Sequence, residues 1–150
     1  MSGNVNFSHS TGVWTLDNGV VIVPPGHSWA GNDSNPDWNP NHLQGKLNHL
    51  MQDVHNIGPL PCNLYRLGEW AFTAEDSKRL GYPSHLGLGI CSLTPIGPGE
   101  MYGRDGFFIH GPAMDQAKRG QESRGCTVVE HDYRINQIAA KNFDTVNVTP

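Results

Sequence analysis

Apolar and polar positions alternate along this chain in short stretches, and only one region keeps a helical period for more than two turns. Val13-Trp14-Thr15-Leu16 and Val20-Val21-Ile22-Val23 flank Asp17-Asn18-Gly19. An Asn-Gly pair between apolar runs supplies the left-handed backbone a tight turn needs, so this segment predicts a β-hairpin. Residues 1–11 are polar on the whole and read as a flexible, poorly packed N-terminus. Residues 24–40, rich in Gly, Asn, Asp, Ser and Pro, predict a long loop that holds Trp29 and Trp38. Leu43, Leu47, Leu50 or Met51, and Val54 recur at helical spacing around Gly45, which predicts a short amphipathic helix.

Further along, Gly58-Pro59-Leu60-Pro61 marks a turn into an extended segment at Asn63–Leu67. Thr73–Leu80 has the form of a short capped helix. Gly87–Leu93, Gly106–His110 and Cys126–Val129 read as strands. Asp132 is placed to cap a helix through Ala140, and Thr145–Val148 supplies a last strand. There is no internal repeat. With 150 residues, 18 Gly and 11 Pro, the pattern predicts one β-rich α+β domain over 1–150, a mixed β-sandwich or barrel with short helices and long loops.

Charge narrows the function classes. The net charge is −4 with 16% charged residues and no basic run, so the footprint of a nucleic-acid binder is missing. The longest apolar run, Val20–Val23, is far too short to cross a bilayer, and the first twelve residues do not have the form of a secretory signal. The expectation is a chain made in the cytoplasm without an ordinary export signal and without membrane insertion. Eight histidines raise the question of zinc, but no H-E-x-x-H or C-x-x-C spacing supports a metal site, and no cofactor is expected.

The candidate chemistry lies in Phe107-Phe108-Ile109-His110-Gly111, followed by Ser123-Arg124-Gly125-Cys126. Only a thiolate attacks a carbonyl, and a nearby imidazole is the ordinary way to obtain one near neutral pH. Cys126 is therefore the candidate nucleophile and His110 the candidate base. The amides at Gly125 and Cys126 suit an oxyanion-binding turn, with Ser123 supporting it and Gly111 allowing close approach of the backbone. No acidic residue immediately follows the motif, so the Gly111 carbonyl is the candidate for orienting the imidazole. On this reading Cys126 should be the most reactive of the three thiols. His131, five residues beyond the cysteine, is the rival base.

At these residues the chain resembles the L,D-transpeptidases of the YkuD type, whose signature is an Ile-His-Gly-like strand end followed by Ser-x-Gly-Cys. The order His before Cys runs against papain-like and NlpC/P60-like peptidases, which carry the cysteine first, although His131 after Cys126 keeps that order open. Trp29-Ala30-Gly31, Ile57–Pro61 with Tyr65, Gly103–Gly111, and Arg134-Ile135 extend the resemblance over most of residues 12–148, toward small single-domain effectors of type VI secretion. Arg124 stands where many of these enzymes have histidine. The resemblance implies a YkuD-like fold, acyl transfer on the tetrapeptide stems of peptidoglycan, and activity in a target cell's periplasm. It also implies a secretion-machine component and a cognate immunity protein as partners.

Other residues have two readings each. Arg104 and Arg124 flank the proposed catalytic pair and could hold a substrate carboxylate, or pair with Asp105, Glu100 or Glu122. Trp29 and Tyr102 could wall a cleft or simply pack. Cys62 and Cys91 read as free thiols, with a disulfide in an oxidising compartment the alternative. Two other function classes stay open: a cysteine endopeptidase or phage-type lysin, and a noncatalytic wall-binding module.

Overall fold

The structure, a computed structural model, describes residues 3–31, 59–112 and 126–150. Its strands, in chain order, are β1 (Asn4–Ser8), β2 (Trp14–Leu16), β3 (Val21–Val23), β4 (Ser28–Ala30), β5 (Asn63–Leu67), β6 (Cys91–Pro95), β7 (Phe107–His110), β8 (Thr127–Val129) and β9 (Thr145–Thr149). They form one mixed sheet in the order β3-β2-β1-β9-β5-β6-β7-β8-β4. Helix α1 spans Ala74–Leu80, and α2 (His131–Tyr133) continues in wider, π-helical form over Arg134–Ala139. The architecture is β-rich with few short helices, as the turn-dense sequence implies.

Strands from both ends of the sheet share a single core. Val5, Phe7, Trp14, Val23, Ala30, Tyr65, Leu93, Ile109, Val129 and Val146 belong to one buried cluster. Trp14 Nε1 on β2 donates to Ser28 Oγ on β4 at 2.8 Å, although the two strands lie near opposite ends of the sheet order. The sheet must therefore curl until its ends meet, the arrangement of a nearly closed barrel.

Local chemistry explains the elements. Asn18-Gly19 closes the β2–β3 hairpin with Gly19 at φ +89°, and Leu16 and Val20 are joined through an N–H···O bond of 2.9 Å. Thr73 caps α1 by accepting from the Asp76 amide at 3.1 Å, and Gly81 ends it at φ +74°. The cavity cost of truncating a buried ring such as Trp14 or Phe7, which stand 5.0 Å apart, is about 3–5 kcal/mol.

Four expectations need correction. Residues 4–8 are not a loose tail: Val5 and Phe7 are fully buried, and β1 pairs with β2 and, in parallel, with β9. Asn4-Val5-Asn6-Phe7-Ser8 alternates polar and apolar residues, the signature of a half-buried strand. Ser28–Ala30 is a strand within the predicted loop, paired with β8. Gly87–Gly89 is a turn rather than strand, because Gly87 and Gly89 sit at φ +83° and +70°, and β6 begins at Cys91. The last helix starts at His131 with Glu130, not Asp132, at its cap position. The helix predicted over residues 43–54 lies outside the described residues.

Candidate functional site

The site is built where β7 and β8 run parallel, with Ile109 opposite Thr127 and His110 opposite Val128. Alternation along β7 sends Phe107 and Ile109 into the core and leaves Phe108 and His110 on the other face. Val128 continues that face on β8, and Trp29 continues it on β4, opposite Val128. His110, Val128 and Trp29 thus form a row across three strands. All three are buried, His110 to 3% exposure and Trp29 to 2%, although none belongs to the main core cluster.

Cys126 immediately precedes β8 and is half-buried. Its Sγ accepts a hydrogen bond from the Phe108 amide at 3.3 Å, which anchors the sulfur beside β7 two residues before His110. His110 Nδ1 lies 2.8 Å from the Gly111 carbonyl oxygen. A carbonyl only accepts, so Nδ1 carries the proton of the neutral ring and Nε2 is its basic nitrogen. The sequence had put the orienting acceptor at Gly111, and this contact is present.

Electrostatics departs from the simple thiolate picture. Burial pushes the Cys126 thiol up to about 11, offset in part by the Phe108 amide, its own backbone amide and the Arg104 charge. The resting sulfur is therefore a protonated thiol at neutral pH, and high intrinsic reactivity does not follow. A thiol held in this state becomes a nucleophile only if a base takes its proton as the sulfur attacks.

Arg104 is buried to 6% exposure, donates from Nη1 to the Pro59 carbonyl at 2.7 Å, and lies over the Phe107 ring at 5.2 Å. That makes it an interior cation whose charge is felt at the thiol. Tyr102 is 40% exposed in the turn before β7, with a left-handed backbone at φ 55°. Gly111 lies against Arg134, where an alanine Cβ would overlap the guanidinium. Ser123, Arg124 and Gly125 lie outside the described residues. His131 is exposed, 73% at its side chain, and its Nδ1 lies 3.1 Å from Asp132 Oδ1, so the rival base sits at the surface.

Two features escaped the sequence. Arg134 is a buried cation whose Nε and Nη1 donate to the carbonyls of Gly89 (2.9 Å) and Val129 (2.7 Å), which ties the end of β8 to the glycine turn before β6. The other is a second cysteine–histidine pair. Buried His9 turns Nε2 to the Leu60 carbonyl at 2.5 Å and Nδ1 to Cys62 Sγ at 3.6 Å. By the same tautomer argument Nδ1 accepts from the thiol, and desolvation raises the Cys62 thiol as well. Cys62 and Cys91 are thiols in this structure rather than a disulfide pair, Cys62 half-buried and Cys91 buried. Among the described residues no group of three or more metal-ligating side chains converges, and no helix is long and apolar enough to cross a membrane.

No family model and no curated protein matches the chain. Among solved structures, an L,D-transpeptidase from Mycobacterium tuberculosis H37Rv matches with a TM-score of 0.44 and 16% identity. The match covers 98% of this chain and 57% of that one, so this chain spans little more than half its length.

Proposed function

We propose that the protein is a cysteine acyltransferase acting on the peptide stems of peptidoglycan. The observation that carries this reading is the seating of Cys126 Sγ on the Phe108 amide, two residues before an imidazole whose tautomer the Gly111 carbonyl fixes. The Ile-His-Gly and Ser-x-Gly-Cys motifs supply the substrate class.

Cys126 Sγ attacks the carbonyl of the third stem residue as His110 Nε2 takes the thiol proton. The tetrahedral intermediate collapses, the bond to the terminal D-alanine breaks, and His110 returns the proton to the departing amine. Water then releases the thioester as a tripeptide, an L,D-carboxypeptidase outcome. A D-amino acid or stem amine instead gives exchange or L,D-transpeptidation. Backbone N–H groups at Gly125 and Cys126 stabilise the oxyanion in this scheme, a contact worth about 3–4 kcal/mol per donor in other enzymes. The same motifs support an antibacterial effector role, with delivery to a target periplasm and a cognate immunity protein.

The test is mass spectrometry of a disaccharide tetrapeptide after incubation with the purified chain. Loss of D-alanine is expected, or exchange when a D-amino acid is supplied, with Cys126→Ala and His110→Ala both inactive and His131→Ala near normal. An unchanged tetrapeptide, or an active His110→Ala beside an inactive His131→Ala, overturns the assignment.

A further inference from the structure

Beyond the Phe108 ring, through Tyr82, the structure holds a second concave feature. The Tyr82 ring meets the Phe108 ring edge-on at 5.0 Å, and Tyr82 is also part of the wall of a cavity of about 490 Å³ between α1 and the helical turn at Ser84–Leu86. That volume is in the range of small-molecule sites. Ala74, Leu88 and the Tyr82 ring make its apolar wall, and Ser77, Lys78 and Ser84 supply the polar groups.

Two of these groups are unspent. Ser77 is 5% exposed, and among the described residues its hydroxyl has no hydrogen-bond partner, which is unusual for a buried polar atom. Lys78 makes no ion pair among the described residues, whereas the next residue, Arg79, is engaged by both Glu69 and Asp76. Leu88, half exposed, leaves a large apolar side chain at the mouth. One apolar wall, one available cation and one unsatisfied hydroxyl match a ligand with a hydrocarbon body and a single negative charge.

We propose that this cavity binds a small amphipathic carboxylate, its hydrocarbon against Ala74, Leu88 and Tyr82, its carboxylate at Lys78 with a hydrogen bond from Ser77. A monoanion suits the site better than a phosphate, because a single lysine balances one charge. The site is separate from the Cys126 chemistry and does not depend on the acyltransfer reading.

The experiment uses the full chain with octanoate as probe, followed by calorimetry and by two-dimensional amide NMR. Saturable one-site binding is expected with Kd below about 1 mM, with shifts centred on residues 74–88. Lys78→Gln should weaken it about tenfold, the loss of one charge-assisted contact, and Leu88→Asp should abolish it. Both positions line the surface, and unchanged melting temperatures confirm that the variants fold. Octylammonium should not bind. Absence of saturable binding, shifts centred elsewhere, or equal binding of octanol and octanoate with Lys78→Gln unaffected each overturns the proposal.

Discussion

The Phe108 amide donates to Cys126 Sγ at 3.3 Å, so the sulfur is held by the strand that ends in His110. A backbone donor at sulfur stabilises the thiolate, yet burial outweighs it and holds the thiol at about 11. The thiolate fraction at pH 7 is then about one part in ten thousand. Iodoacetamide alkylation of Cys126 in the substrate-free chain should rise about tenfold per pH unit between pH 7 and 10, without a plateau. Peptide mapping of the labelled thiols across that range checks it, and a plateau near pH 7 would show a pre-formed ion pair instead.

Arg104 connects the fold to that thiol. Its charge lowers the Cys126 value, and its guanidinium serves Pro59 and Phe107. Arg104→Met should cost about 2 kcal/mol for the lost charged hydrogen bond and move the Cys126 alkylation profile to higher pH. Denaturant melts and the labelling profile measure the two effects separately; a profile that does not move would mean the charge is fully screened from the sulfur.

Arg134 and Gly111 should be energetically coupled. Arg134→Ala strands the carbonyls of Gly89 and Val129 in the interior, at a cost of about 3 kcal/mol, or roughly 6–12 °C in Tm for a chain of this size. Gly111→Ala overlaps the guanidinium and should cost about 2 kcal/mol. In the Arg134→Ala background that second cost should largely vanish. Additive losses in the double-mutant cycle would place the strain of the new methyl elsewhere.

Alkaline pH should destabilise the fold. Burial raises the Cys126 thiol to about 11 and raises the Cys91 thiol further in the same direction. An acid whose folded value is raised keeps its proton while the unfolded chain loses it. Stability from this source is therefore complete below the ordinary thiol range and falls as pH climbs from about 9 toward 11, by about 1.4 kcal/mol per pH unit for each thiol. Urea melts at stepped pH should show this slope, and Cys126→Ala should be shallower. An equal slope in that variant would assign the effect to other groups.

Much of the fold is legible wherever a local signal is strong. Asn18-Gly19 announced the hairpin, Thr73 and Gly81 bounded α1, and the Ile109-His110-Gly111 strand end and the strand after Cys126 were found within a residue or two. Signals that depend on distant partners were not legible. β1 alternates over only five residues, too short a run to stand out until β9 pairs beside it, and β4 has no strong strand character apart from its pairing with β8. Gly87-Leu88-Gly89 imitates strand alternation, but its small positions are glycines in left-handed conformation. Arg104 was read as a clamp for a substrate carboxylate or a partner of nearby acids, and Arg134 was given no structural role, because each reaches a backbone carbonyl 45 residues away in the chain, Pro59 and Gly89, which no side-chain pattern advertises.

The position of β9 sets the order in which this molecule can be completed. It lies between β1 and β5, pairing residues 145–149 with residues 4–8 on one side and with residues 63–66 on the other. Until that strand is made, no strand ladder joins the β3-β2-β1 unit to β5, and only side-chain contacts such as Trp14 to Ser28 tie that unit to the strands around His110. A growing chain therefore holds the facing edges of β1 and β5 unpaired until residues 145–149 have been made, and the barrel closes only after a separation of more than a hundred residues from β1 has been spanned.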